Sequence, residues 1–178
     1  MVDYIRAEVY KVTHRKYLWG FLLIVGGLEA LLVCMWAWMN GDMTNMSAST
    51  GFIMVLYLLT MGYYASAITT DMVFSDQYKF NTLKNEVAYG IPRARIYLGK
   101  LAVGCLVSLA SCVVILLWYG ILCRVLLPGD GAWLEALKCV GFALLAALPV
   151  WLGAQALFYM CFFLLKSSTA ASLIAVGV

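Results

Sequence analysis

The sequence predicts an all-α protein, a polytopic bundle of transmembrane helices. Three observations carry this. Hydrophobic residues make up 65% of the 178 positions and charged residues only 12%, whereas soluble domains carry about a quarter charged residues. Mean hydropathy is +0.92, more apolar surface than one soluble core absorbs. The apolar residues also fall in long uninterrupted runs, and a helical span needs about 17–25 such residues. Barrel strands fit poorly, because they run about 9–11 residues with alternating polarity.

Four runs have spanning length: residues 17–39, 50–70, 101–127 and 139–165. The last is part of a longer stretch from Leu134, in which Pro149 predicts a kink. A fifth apolar segment, 167–178, has twelve residues. As a helix it reaches about 18 Å, short of a hydrocarbon core of about 30 Å. It is expected to be the incomplete start of a fifth span, the chain being a piece of a longer protein. The first run is too long for a cleavable h-region of about 7–15 residues and is expected to stay as an anchor.

Basic residues predict the orientation. Arg6, Lys11, Arg15 and Lys16 precede the first run, and Lys79, Lys84, Arg93, Arg95 and Lys100 lie between the second and third. With the N-terminus cytoplasmic, ten of the twelve Lys and Arg residues are inside, Arg124 and Lys138 being the exceptions. Tyr17 and Trp19 then mark the inner boundary, and Trp36, Trp38, Trp118, Tyr119 and Trp133 the outer one.

Residues 1–16 read as an amphipathic interfacial helix. Val2, Ile5, Val9 and Val12 share a stripe, and basic residues face anionic lipid. The transmembrane domain, 17–178, carries a cytoplasmic loop at 71–100. This loop reads as two helices with a break. Ser75 is a candidate N-cap, and Asp76 suits a first turn by complementing the helix dipole. Phe80, Leu83 and Val87 form a narrow apolar ridge opposite Asn81, Thr82 and Asn85. Gly90 fits a left-handed stop and Pro92 the first turn of the next helix.

Chemistry-bearing constellations are scarce. There is no phosphate-cradling G-x-x-x-x-G-K-[ST] loop. The sole histidine, His14, lies in the leader, which argues against an intramembrane metalloprotease. A serine-type membrane protease lacks a paired base. None of the six cysteines shows Cys-x-x-Cys spacing, so they read as small apolar residues.

Glu29 is the one carboxylate deep in a span, where desolvation favours the neutral acid. It reads either as a proton, cation or substrate contact, or as a neutral acid hydrogen-bonded across the bundle or paired with Arg124. The absence of a second acidic residue weighs toward the structural reading. Gln155 has the same two readings, with the structural one stronger. Small residues recur at four-residue spacing at Gly62, Ser66 and Thr70 and again at Gly104, Ser108 and Cys112. Such rows predict close helix packing.

The string from Asp76 to Lys100 resembles the cytoplasmic loop of ABC type-2 export permeases. Thr82-Leu83-Lys84-Asn85, Gly90-Ile91-Pro92-Arg93 and Lys100 match the family's pattern, and Asn81 departs from a frequent glycine. The leader Ala7-Glu8-Val9-Tyr10-Lys11 is similar to the family's interfacial helix. Family members usually have six spans. The resemblance implies a permease subunit of a bacterial ABC exporter, without enzymatic activity of its own. ATP and Mg²⁺ would belong to a partner ATPase, and no cofactor to this chain. It further implies that Asp76, Phe80, Leu83, Lys84, Asn85 and Val87 form a coupling helix docking on that ATPase, and that a second permease copy or a paralogue completes the pathway. The surroundings are then the lipid bilayer of the bacterial plasma membrane, with no nucleic-acid partner. Two other readings compete: a secondary-transporter fragment, for which only Glu29 speaks, and a non-transporting membrane scaffold.

Overall fold

The computed structural model describes residues 2–40, 45–79, 88, 90 and 92–164. Among these it is all-helical, with no β-strand. The α-helices are α1 (Val2–Thr13), α2 (Lys16–Met39), α3 (Ala48–Ile53), α4 (Leu59–Lys79), α5 (Arg93–Leu126) and α6 (Trp133–Leu164). A 3₁₀ segment, Met54–Leu58, joins α3 to α4. Among the described residues three helices, α2, α5 and α6, are long and apolar enough to cross a membrane. Their exposed side chains include Leu23, Leu31, Leu117, Ile121, Phe142 and Val150, the surface that lipid covers in such a bundle.

The run at 50–70 lies in α3, the 3₁₀ segment and the first part of α4, which follow one another without a gap. α4 falls short of spanning apolarity among the described residues. The reason is composition, since α4 carries Asp71, Asp76 and Lys79 beside Ser66, Thr69 and Thr70. α4 runs unbroken through Ser75 and Asp76, so Ser75 is not an N-cap and Asp76 is not in a first turn. Gly90 has φ of 80°, as its left-handed role requires. The Pro92 carbonyl accepts from the Ile96 amide at 3.2 Å, which starts α5 where the proline predicted.

The chain packs as two compact units. One comprises Trp19–Thr60 and Ser111–Leu148. Its core gathers Val33 of α2, Phe52 of α3, Tyr119 and Cys123 of α5, and Val140 of α6. The Tyr119 hydroxyl donates to the Gly51 carbonyl at 2.7 Å, where the chain passes from α-helix toward the 3₁₀ segment. Tyr119, expected at the outer aromatic boundary, is thus a core residue, 1% exposed. Arg124 stacks over the Trp133 ring at 5.5 Å. Asp130 accepts from Ser47 at 2.6 Å and from Ser49, and these hydroxyls hold its carboxyl below the usual range.

The other unit comprises Met1–Leu18, Met61–Ala110 and Pro149–Val178. Ala67, Ala154 and Phe158 form an apolar cluster there. The Tyr97 hydroxyl donates to the Ala156 carbonyl at 3.0 Å, and its ring meets Phe163 edge-on. Gly104 leaves room for the buried Tyr159 ring, which any side chain at position 104 would strike. This unit holds the polar features that bear on function.

Candidate functional site

A buried ion cluster joins α1 to the beginning of α5. Glu8 lies on the packed side of α1 beside Val12, both 2% exposed. Its carboxylate accepts from Lys100 at 3.2 Å on one oxygen and from Lys11 at 2.6 Å on the other. The Lys100 side chain is wholly buried, whereas that of Lys11 is 54% exposed. Burial works against the Glu8 charge, but the two ammonium groups, Lys100 foremost, outweigh it and hold the carboxyl below its usual range.

Beside the pair, Tyr4 lies against Gly99, where a Cβ would come within 2.6 Å of the ring. Only glycine admits that approach without displacing the tyrosine. The Lys100 ammonium is 6.0 Å from the centre of the same ring. Just past the end of α1, Arg15 donates to the Met72 carbonyl of α4. The leader helix is therefore pinned to protein and not merely laid on lipid.

Deeper in the same unit a polar network ties α4, α5 and α6. Gln155 is fully buried, and its amide donates to Ser108 at 3.0 Å and to Thr69 at 3.4 Å. Ser108 donates to Thr69 at 2.9 Å, and Thr70 lies 3.5 Å from the Gln155 oxygen. Thr69 and Thr70 both also donate to the Ser66 carbonyl. Every side-chain group in this set has a partner, which is the arrangement that makes buried polar groups tolerable. Gln155 thus sits in a satisfied interhelical network.

Glu29 is on α2, in the other unit. It is half-buried, and its Oε2 has no hydrogen-bond partner among the described residues. Arg124 lies over the Trp133 ring. Asp76 is in α4, while Phe80, Leu83, Lys84, Asn85 and Val87 lie outside the described residues. No group of three or more His, Cys, Asp or Glu side chains able to hold a metal occurs among the described residues.

Among the described residues, three long apolar helices accompany a packed leader and a buried interhelical polar network. The decisive observation is a match over residues 4–177 to the family described as ABC-2 family transporter protein. The chain belongs to the ABC-2 transporter family. Neither a curated protein nor a solved structure matches it. As an ABC-2 family permease it is a multi-pass membrane protein.

Within this ABC-2 permease, sequence reasoning missed Glu8 as a buried residue, together with its contact to Lys100, and the contact of Arg15 with Met72. The one signal in the sequence was that Glu8 and Lys100 each stand in a family-like motif, one in the leader and one at the end of the 76–100 string. The Gln155 network had a visible precursor in the small-residue rows, since Ser66, Thr70 and Ser108 belong to both.

Proposed function

We propose that this chain is the membrane-spanning subunit of a bacterial ABC exporter, driven by a separate ATPase subunit that binds ATP and Mg²⁺. The N-terminus and the 71–100 segment face the cytoplasm, and the chain resides in the plasma membrane. Two permease subunits, a second copy or a paralogue, enclose the path for a drug, a peptide of the lantibiotic kind or a lipid-like compound. The segment from Asp76 to Val87, with its ridge of Phe80, Leu83 and Val87, engages the ATPase.

The observation that carries the reading is the family match across nearly the whole chain. The distribution of basic residues supports the orientation. The physics of the coupling is direct: a change in the ATPase alters the free energy of the permease only through contacts that differ between its two states. The apolar positions Phe80, Leu83 and Val87, which stand between α4 and α5 in the sequence, are proposed to supply such a contact.

Replacing Phe80→Asp together with Leu83→Asp is expected to abolish co-purification of the ATPase while the chain still inserts into membranes. Undiminished co-purification of that double variant refutes the docking assignment. Labelling of positions 76–90 from outside intact cells refutes the orientation.

A further inference from the structure

The helices α4 and α5 flank the segment between residues 79 and 93, and α1 is fastened to both. Arg15 reaches the Met72 carbonyl, seven residues before Lys79, the last described residue of α4. Glu8 holds Lys100, seven residues after Arg93, the first residue of α5. Each attachment lies about two helical turns, or about 10 Å, from the end of its helix's described residues. Neither contact belongs to the apolar stripe that would lay the helix on lipid.

Each attachment is of a kind that resists sliding. The Glu8–Lys100 pair is buried on both sides, and separating it takes from the enclosed Lys100 its carboxylate and leaves Glu8 with the partly exposed Lys11. Tyr4 is seated on Gly99 at a separation that no other residue type allows. Arg15 grips a backbone carbonyl, a group whose position follows the helix axis and not a side-chain rotamer.

We propose that α1 is a strap across the two roots of the coupling segment. It fixes their spacing, so that a push on the segment moves α4 and α5 together instead of prying them apart. Glu8, Lys100 and Arg15 are then positioning residues for coupling: they touch neither nucleotide nor substrate, and they make the roots respond as one body. This rests on the reading that residues 76–87 meet the ATPase.

The test uses the permease assembled with its ATPase in lipid nanodiscs. Three chains are compared with wild type: Glu8→Gln, Lys100→Met, and the charge swap Glu8→Lys with Lys100→Glu. The readouts are the amount of ATPase retained and the ratio of ATP hydrolysis in the complex to that of free ATPase. Both single variants are expected to retain the ATPase yet lose stimulation about fivefold or more, the low end of ordinary allosteric coupling. The charge swap is expected to recover most of it, which a general loss of stability would not allow.

Wild-type stimulation in the single variants, or a loss that the swap leaves in place, overturns the strap. If Glu8→Gln fails to accumulate in the membrane, Arg15→Gln removes the other attachment at a half-buried side chain and carries the same expectation and the same refutation. A wild-type chain that retains no ATPase overturns the functional reading as well. That failure is recognised by its presence before any substitution is made.

Discussion

Removing the smaller partner from the Gln155 network is expected to cost more than removing the larger. Ser108→Ala deletes one hydroxyl, the acceptor at 3.0 Å for the Gln155 amide. Gln155 has no exposed surface, so one N–H is left without a partner, at a cost of about 1–3 kcal/mol. Gln155→Leu removes the whole amide at nearly constant volume. Thr69 and Thr70 then keep the Ser66 carbonyl, and Ser108 keeps Thr69. Of the hydrogen bonds that the Gln155 amide makes, those to Thr69 and Thr70 are long, 3.4 and 3.5 Å. Interhelical hydrogen bonds in bilayers average about 0.6 kcal/mol, so the total is about 1 kcal/mol or about fivefold in the folding equilibrium. Reversible unfolding in mixed micelles, followed by tryptophan fluorescence during a titration with SDS, measures both. The reverse order of cost refutes the reasoning. Unchanged stability with transport abolished in Gln155→Leu assigns this side chain to substrate instead.

Tyr119→Phe leaves the buried Gly51 carbonyl without its 2.7 Å donor and is expected to destabilise the chain by about 1–3 kcal/mol in the same titration. The depressed pKa of Glu8 makes seating of α1 dependent on acid. Stabilisation from a carboxyl whose folded pKa lies below its unfolded value is fully present above the latter, about 4.3, and fades as pH falls through the folded value. Hydrogen-exchange protection of residues 2–13, taken relative to the intrinsic rate at each pH, should therefore fall below about pH 4, and Glu8→Gln should flatten that dependence while lowering protection at neutral pH.

The spans were legible because length and apolarity are properties of contiguous sequence. α2, α5 and α6 follow runs that no other architecture accommodates, and Gly90 and Pro92 punctuate the chain as their backbone chemistry requires. The hydrogen bond on Gly51 was hidden, since its hydroxyl comes from Tyr119, 68 residues away. Tyr119 itself was placed in a boundary belt on composition, whereas its neighbours in space make it core. Ser75 and Asp76 look like the start of a helix locally, but a helix already under way from Leu59 continues through them. Glu8 was the harder case. Among basic neighbours on an interfacial helix one acidic residue reads as solvated, and its partner is 92 positions distant. Periodicity reports which face of a helix is buried, not which distant charge is waiting there.

The complete enclosure of Lys100 makes this amine a natural reporter. Acylating reagents modify lysines in proportion to access, so Lys11, with half its side chain in the open, reacts at all times. Lys100 becomes reactive only on lifting of the leader. The ratio of acylation at these two positions, read by mass spectrometry across a nucleotide cycle, would time the opening of that contact without a single engineered residue.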